Sequence, residues 1–452
     1  MENSESLSIS DAFELSISDY EPIDLYPPEE LLPARQSSLP PWAEKYAATR
    51  GSPYTGSALK QLEAELKDYY NWITLKQPEI KCREALISRL SSHIVKLFGE
   101  ETSILKFGSY SLDLSIPTSD IDLVVYNLPL TPAAFDCEIS EFSEDNCVRS
   151  GHNAIPVPAQ LSFCKSLYNS LLLDKSFTVV EFISGARIPI IKGLCAHTGL
   201  HFDISMSGSV VSEHREMAEQ LIAAHPRSKQ LIMIMKHFLA QRSLDVPFTG
   251  GVGGYVLINM IAAFYEAKYR MSYAQRDDYD CQYAADLLGF LEFYTYSFGS
   301  HITAIDIARF YSRNVLVPKS QLSRVERYVN DFRKITIIDP AGQPAQSFES
   351  VDVGGAAYNW HLIKKSMSNG YNVLLCETST THNQTRLSNF VRDFPPMATV
   401  RALCWRHAKS DNETRSMSPT PSDSTPPSPL RVNSKTVSQV KPLRKNMTLN
   451  IL

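Results

Sequence analysis

Hydrophobic residues recur at helical spacing in two segments that precede the middle of the chain. In residues 57–73 the apolar side chains fall on one face of a helix, and a second segment after Pro78 repeats the pattern. These positions are Leu59, Leu62, Leu66, Tyr69 and Ile73 in the first segment, and Leu86, Leu90, Ile94 and Leu97 in the second. Both segments are therefore predicted to be packing helices.

The pattern then changes to short segments that are rich in β-branched residues and separated by turns. Residues 103–206 predict a mixed sheet, interrupted by an acid-rich loop at 136–157 and by a helix near 161–173. The predicted strands lie in SILKFGS, IDLVVY, FTVVEFIS, RIPIIKG and HFDIS. Residues 216–332 return to helical spacing, and a small α/β segment is expected at 335–378.

Composition limits the classes of protein that this chain can belong to. With 452 residues, 43% of them hydrophobic, it has room for two or three domains. Its formal net charge of −5 excludes a protein that coats nucleic acid by bulk electrostatic attraction. The eight cysteines show no CxxC pair and no zinc-binding spacing, which is typical of a reducing, intracellular compartment.

Both ends of the chain differ in composition from its centre. Residues 1–40 contain nine acids and one base and are predicted to be a disordered acidic arm. Residues 410–452 are rich in serine and proline, carry five bases from Arg431 onwards, and are predicted to be a disordered tail. We recognise no signal peptide and no apolar run long enough to span a membrane, so we expect no membrane association.

The strand IDLVVY begins with two aspartates that point to the same face, Asp120 and Asp122. Polar residues alternate on any half-exposed strand, so this pair alone has a purely structural explanation. Its surroundings favour a functional one. Gly108 and Ser109 end the preceding strand, where a backbone N–H and a hydroxyl can contact a phosphate, and Asp203 lies in the strand-like HFDIS. Three converging carboxylates would form a site for two Mg²⁺ ions, which prefer oxygen ligands and can assist phosphoryl transfer.

The spacing GS–x₁₀–D–x–D with a distant third aspartate resembles the nucleotidyltransferases of the DNA polymerase beta superfamily. That motif also fits antibiotic nucleotidyltransferases, CCA-adding enzymes and oligoadenylate synthetases. The ordered combination of LKDYYNWI, PTSDIDLVV, ARIPIIKG, the lysine helix with FTGG, and DPAG…DVGGAAY is more specific. Over about residues 58–378 it resembles the TRAMP-type (topoisomerase-related-function) poly(A) RNA polymerases, which tail RNA for the exosome.

This resemblance implies an α/β fold with two lobes around a cleft. The expected domains are a helical part of the central domain at 41–87, a mixed-sheet nucleotidyltransferase palm at 88–206, and a mainly helical central, poly(A)-polymerase-associated domain at 207–409. The implied activity is transfer of AMP from ATP to RNA 3′ ends, with Mg²⁺ or alternatively Mn²⁺ as cofactor. Two rivals remain open: an RNA uridylyltransferase or relaxed-specificity tailing enzyme, and a non-catalytic scaffold that binds RNA or protein.

The resemblance also assigns roles to individual residues. Asp120, Asp122 and Asp203 match the catalytic, metal-binding carboxylates, and Asp203 would also help to deprotonate the RNA 3′-hydroxyl. The residues that match nucleotide-binding positions are Gly108, Ser109, Lys236, Gly254, Tyr255, Asp339 and Asp352. The chain departs from the family in three places: Asp113 is an acid near the triphosphate loop, where relatives usually have glycine, Gly355 replaces an arginine, and the loop between DPAG and DVGG is longer than usual.

Two of these residues have alternative explanations that depend on burial. Lys236 lies in the apolar helix LIMIMKHFLA and must have a partner, either a structural carboxylate or the phosphates of the nucleotide. Tyr255 is either a core residue or, as the resemblance implies, a ring that stacks on the incoming base. His237 and Glu181 show no ligand spacing and are expected to be structural.

The resemblance finally suggests the nucleotide and the partners. Uridylyl-adding relatives carry a histidine at the position of Val351, so its absence favours ATP. A separate zinc-knuckle RNA-binding protein, an RNA helicase and the exosome are the implied partners. The implied compartment is the nucleus, with the cytoplasm as the alternative.

Overall fold

The structure, a computed structural model, describes residues 40–47, 58–128, 157–185, 189–206, 209–270, 281–307, 315–322, 334–341, 352–375, 385–392 and 395–417. The chain divides into two compact units, residues 1–408 and 409–452, and the domains and site below belong to the first. Almost all of the predicted acidic arm and most of the predicted tail lie outside the described residues.

The described helices are α1 (Glu44–Ala47), α2 (Ala58–Ile73), α3 (Gln77–Phe98), α4 (Gly108–Ser111), α5 (Val157–Leu172), α6 (Ser209–Ala224), α7 (Ser228–Ala240), α8 (Gly254–Arg270), α9 (Gln282–Glu292), α10 (Trp360–Leu375), α11 (Arg386–Phe390) and α12 (Pro395–Met417). The described strands are β1 (Ser103–Phe107), β2 (Ile121–Tyr126), β3 (Phe177–Ile183), β4 (Ile190–Cys195), β5 (His201–Ser205), β6 (Thr303–Asp306), β7 (Leu316–Pro318) and β8 (Ile337–Ile338).

A five-stranded mixed sheet forms the first lobe, in the order β1-β2-β5-β4-β3. β2 and β5 run parallel, whereas the other neighbouring pairs are antiparallel. Apolar side chains of α3 and α5 pack with those of the strands into one buried core. The mixed sheet predicted for residues 103–206 is therefore confirmed, and its neighbouring strands β2 and β5 carry Asp122 and Asp203.

The second lobe is mainly helical and has its own core. That core contains apolar residues from α2 and from α6 to α11. A small sheet of order β7-β6-β8 joins it, with β6 antiparallel to β7 and parallel to β8. Since α2 precedes the first lobe and α6 to α11 follow it, the central domain is built from both sides of the palm in sequence.

One loop belongs to both lobes. Leu114 and Ile116, which precede strand β2, are buried in the core of the helical lobe. Ile121 and Leu123 of β2 itself are buried in the core of the palm. Asp120 therefore lies at the point where the chain passes from one core to the other.

Three details differ from the sequence predictions. The prediction of a wholly helical stretch at 216–332 was wrong for β6 and β7, because strands of four and three residues are too short to show a recognisable period. α12 continues to Met417, so the chain remains helical past the predicted start of the tail at residue 410. The predicted domain boundary between residues 87 and 88 falls within α3, whose apolar residues on both sides join the palm core.

No helix among the described residues is both long enough and apolar enough to cross a membrane.

Candidate active site

The three predicted metal-binding aspartates lie together at the N-terminal ends of two neighbouring strands. Asp122 of β2 and Asp203 of β5 are directly paired in the register of these parallel strands. Asp120 precedes β2, and its charge acts on both of the other carboxylates. Strand pairing thus brings together residues that are far apart in the sequence.

Burial and mutual repulsion oppose the charged form of these carboxylates. The pKa of Asp122 is raised to about 6, first by burial and then by the charges of Asp203 and Asp120. The pKa of Asp203 is also raised, chiefly by burial, although a hydrogen bond from Lys192 opposes this shift. A cation among the three carboxylates would stabilise their ionised forms.

Lys192 is a site residue that sequence reasoning missed. It lies on β4 opposite Asp203, and its ammonium group forms an ion pair and a hydrogen bond with the Asp203 carboxylate. Burial lowers the pKa of Lys192, but the bond to Asp203 and the charges of the three aspartates raise it. The pKa of Lys192 is therefore above its ordinary value. The signal was available, because RIPIIKG and HFDIS are adjacent predicted strands that are able to pair.

The donor chemistry of this cluster fits a divalent metal ion. Among the described residues, no group of three or more His, Cys, Asp or Glu side chains is already arranged to hold one, and Lys192 bonds directly to Asp203. The three carboxylates supply only oxygen donors, however, and their repulsion is the kind that a hard cation relieves. Asp120, Asp122 and Asp203 would therefore hold the ion once Lys192 has turned away from Asp203.

Gly108 packs directly against the carboxylate of Asp122. It has a φ of +62°, in the left-handed region, and it begins the short helix α4. A Cβ atom at Gly108 would lie 2.0 Å from Oδ2 of Asp122, so only glycine fits here without displacing the carboxylate. Ser109 follows, and its hydroxyl is 3.1 Å from that of Ser115. The predicted triphosphate loop is thus in contact with the predicted metal site.

A second missed residue, Arg83 of α3, holds the loop that leads to Asp120. Arg83 is fully buried, and its Nη2 donates to the backbone carbonyls of Ile116, Pro117 and Ser119 at 3.2, 2.9 and 2.8 Å. Burial lowers its pKa, while nearby acidic groups, including Asp120, act in the opposite direction. In the sequence, Arg83 lies in an amphipathic helix, where a surface position is the ordinary expectation.

Lys236 of α7 faces the aspartate cluster. Within the described part of the chain its hydrogen bond is to the hydroxyl of Ser119, at 3.5 Å, and it makes no ion pair with a structural carboxylate. Burial lowers its pKa, whereas the charges of Asp122, Asp120 and Asp245 act to raise it. Its predicted phosphate-binding role stays a prediction. Asp245 is a nearby acid that sequence reasoning missed.

Tyr255, Asp339 and His214 form a hydrogen-bonded group in the helical lobe. The hydroxyl of Tyr255 donates to Oδ1 of Asp339 at 2.9 Å, and Nε2 of His214 lies 2.7 Å from Oδ2 of the same carboxylate. The His214 and Tyr255 rings lie 4.7 Å apart, and Tyr255 is partly exposed. Burial and the Asp339 charge raise the pKa of Tyr255, so its hydroxyl stays protonated and its ring is held in place. His214 was not predicted.

The remaining predicted nucleotide-binding residues have different surroundings. Gly254 is the first residue of α8, and a Cβ atom there would have no neighbour within 4 Å. Oδ1 of Asp352 accepts hydrogen bonds from the backbone N–H groups of Ile337 and Gly354, both at 2.9 Å, so this carboxylate stabilises the adjacent turn. Its predicted contact with a nucleotide stays a prediction. Val351 lies outside the described residues.

The unusual Asp113 has a glycine-like conformation. Its φ is +59°, and its exposed carboxylate lies 3.2 Å from Nζ of Lys229 on α7. This ion pair connects the triphosphate loop to the helix that carries Lys236. It is solvent-exposed, so its contribution to stability is small.

His237 and Glu181 were expected to be structural. The ring of His237 is fully buried and bonds to the hydroxyl of Tyr69. Burial lowers the pKa of His237 to about 3, so it is neutral at pH 7. Glu181 is exposed on the edge strand β3.

Comparison with known proteins gives a consistent result. Residues 62–217 match the family model of the central palm domain of mitochondrial-like poly(A) RNA polymerases. Poly(A) RNA polymerase protein 2 of Saccharomyces cerevisiae is 28% identical over 324 residues, which cover 72% of this chain and 49% of that protein. Poly(A) RNA polymerase protein 1 of the same yeast is 27% identical over 314 residues, which cover 70% of this chain and 43% of that protein. The chain spans about half the length of the curated relatives that it matches.

The solved structures include a similar fold. The polymerase core of TRAMP, an RNA surveillance complex, superposes with a TM-score of 0.61 at 25% identity, covering 78% of this chain and 99% of that one. The predicted fold class and the predicted resemblance to TRAMP-type nucleotidyltransferases are therefore confirmed.

Proposed function

We propose that this chain, which has the fold of a TRAMP-type nucleotidyltransferase, is a template-independent RNA 3′-terminal adenylyltransferase. The observation that carries the proposal is the register pairing of Asp122 with Asp203, with Asp120 beside them and Gly108 packed against Asp122. This is the arrangement of carboxylates and phosphate-binding loop that nucleotidyl transfer requires.

In the proposed reaction, the 3′-oxygen of the RNA forms a bond to the α-phosphorus of ATP. The bond from that phosphorus to the bridging oxygen breaks, and pyrophosphate leaves. A divalent metal ion held by the three aspartates, Mg²⁺ or alternatively Mn²⁺, supplies Lewis-acid stabilisation of the negative charge that develops on the phosphate oxygens.

The side chains of this protein have separate tasks in that reaction. A carboxylate oxygen of Asp203 accepts the proton of the 3′-hydroxyl. The backbone N–H groups that begin at Gly108, together with the hydroxyl of Ser109, hold the triphosphate. The ammonium group of Lys236 pairs with the phosphates, and the anchored ring of Tyr255 stacks on the base.

Adenine selection, the partners and the compartment rest on resemblance. We propose ATP as the preferred nucleotide because Val351 replaces the histidine of uridylyl-adding relatives. The substrate is the 3′ end of RNA, and the proposed partners are a zinc-knuckle RNA-binding protein, an RNA helicase and the exosome. We propose the nucleus as the compartment and RNA surveillance as the process.

Purified protein, a labelled oligo(A) primer, Mg²⁺ and each of the four nucleotides in turn test this proposal. We expect extension with ATP that is lost in the Asp120→Ala/Asp122→Ala double variant, which should remain folded because neither carboxylate packs in the core. Glu101→Ala, which removes an exposed acid in the turn before β1, is the matched control and should keep wild-type activity. Extension by the double variant at the wild-type rate would refute the mechanism. RNA binding without incorporation of any nucleotide would favour the non-catalytic scaffold, and preferential incorporation of UTP would identify a uridylyltransferase.

A further inference from the structure

An exposed group of apolar side chains lies at the edge of the candidate active site. Phe248 is 92% exposed, and Val246 and Tyr358 are each 45% exposed. We call these three residues the rim patch. A group of neighbouring exposed apolar side chains, unlike a single one, can mark an interaction site.

Hydrogen bonds hold the two segments of the rim patch together. The hydroxyl of Tyr358 donates to the carbonyl of Phe248 at 3.1 Å, and Nδ2 of Asn359 donates to the carbonyl of Thr249 at 2.8 Å. The backbone N–H of Asn359 donates to the carbonyl of Gly250 at 3.1 Å. These hydrogen bonds join the backbone around Phe248 to Tyr358 and Asn359. The exposed rings of Phe248 and Tyr358 therefore belong to an ordered part of the structure.

Gly250 shows that this arrangement is specific. Its φ is +84°, and a Cβ atom there would lie 2.5 Å from the ring of Tyr358. The loop therefore turns tightly against that ring and requires glycine to do so.

The rim patch adjoins residues of the proposed nucleotide site. Asp245, which immediately precedes Val246, interacts electrostatically with Lys236 and Asp120. The same loop continues into Gly254 and Tyr255 at the start of α8. The patch is thus continuous with residues on the phosphate side and on the base side of the proposed nucleotide site.

Two side chains that can contact phosphate follow the patch in the sequence. α10 begins two residues after Tyr358, and His361 and Lys365 lie one turn apart on its exposed side. An aromatic surface near a lysine suits single-stranded nucleic acid, because bases stack on the rings while a phosphate meets the ammonium group.

We propose that the ring of Phe248, supported by Tyr358, is a stacking subsite for an unpaired base of the RNA upstream of its 3′-terminal nucleotide. This inference rests on the proposed function and adds to it the means by which the primer is held. Because every base presents a flat face, the subsite would accept RNA ends of any sequence.

Primer extension by the full-length protein and its Phe248→Ala variant tests the subsite. We expect the KM for an oligo(A) primer to rise about 5-fold to 100-fold, the range that corresponds to one lost base–aromatic stack. The KM for ATP and kcat at saturating primer should stay within about two-fold of wild type. Phe248→Trp should keep tight primer binding, and Leu173→Ala, which removes an equally exposed apolar side chain (86%) from the palm, is the matched control.

A primer with single abasic nucleotides placed in turn at the second to fourth positions from the 3′ end separates stacking from other effects. If Phe248 stacks on a base, wild type and Phe248→Ala should bind one of these abasic primers equally well. An undiminished difference on all of them, or wild-type behaviour of Phe248→Ala on the intact primer, would overturn the proposal and leave a protein partner as the occupant of the patch. Fluorescence anisotropy of primer binding in the absence of nucleotide compares wild type and Phe248→Ala even if the protein incorporates no nucleotide. A failure of the proposed function can therefore be told apart from a failure of the subsite.

Discussion

Replacement of Gly108 by alanine should reduce kcat strongly, because the added methyl group displaces the carboxylate of Asp122. The added Cβ atom would lie 2.0 Å from Oδ2 and 2.8 Å from Cγ of Asp122, whereas real Cβ contacts essentially never fall below 3.0 Å. The two groups must therefore separate by at least about 1 Å. A misplacement of about 1 Å can reduce a reaction rate about 100-fold, so we expect kcat to fall by about that factor or more.

The same substitution also costs stability, and this cost has a matched control. Alanine in the left-handed region loses about 1–2 kcal/mol in the free energy of unfolding. Gly99 also has a positive φ, of +91°, but a Cβ atom there would have no neighbour within 4 Å. Gly99→Ala should thus lose about 1–3 kcal/mol of stability without any loss of kcat at a temperature where both variants are folded.

Steady-state primer extension gives kcat for both variants, and urea denaturation gives their free energies of unfolding. A kcat for Gly108→Ala within about three-fold of wild type would show that Asp122 tolerates the displacement, and the assignment of this loop would then be wrong. An equal loss of kcat in Gly99→Ala would show that backbone strain, rather than contact with Asp122, limits the enzyme.

Three further predictions concern pH, nucleotide choice and RNA retention. The pKa of Asp122 is raised from 3.8 to about 6, so the folded state binds this proton more tightly than the unfolded state does. Without added metal ions, the free energy of unfolding should therefore fall as the pH rises from about 4 to 6. Asp122→Asn should remove that part of the fall in urea denaturation with EDTA, and identical pH profiles would contradict it. We expect kcat/KM on one primer to be higher for ATP than for UTP because histidine is absent at Val351; a preference for UTP would overturn this. The protein alone should extend RNA distributively, and removal of residues 410–452 should change the product lengths little. In a primer-challenge assay, long products on few primers would refute the need for a partner. Loss of those long products when residues 410–452 are deleted would assign RNA retention to the tail.

The sequence predicted the parts of the site that depend on local pattern. Strand alternation placed Asp120 and Asp122 on one face, and the β-branched segments predicted the sheet that carries Asp203. The glycine at 108 was predicted from its place between strand and loop. These features are encoded within a few residues of one another, or in segments with a clear period.

The rest of the site depends on tertiary contacts that no local pattern encodes. Lys192 meets Asp203 only through the register of β4 and β5, and Arg83 reaches the catalytic loop from a helix that reads as amphipathic. His214 and Asp339 are 125 residues apart in the chain and share a hydrogen bond. Such pairs require the topology to be known first, so sequence reasoning found Asp339 only by resemblance and did not find His214.

The loop shared by the two lobes has a consequence for how this protein unfolds. Leu114 and Ile116 are anchored in the helical core, and Ile121 and Leu123 are anchored in the palm core. Melting of either core would release one end of the segment that carries Asp120. Loss of structure in either lobe should therefore displace Asp120, and a cavity made deep in the helical core would loosen this carboxylate without touching it.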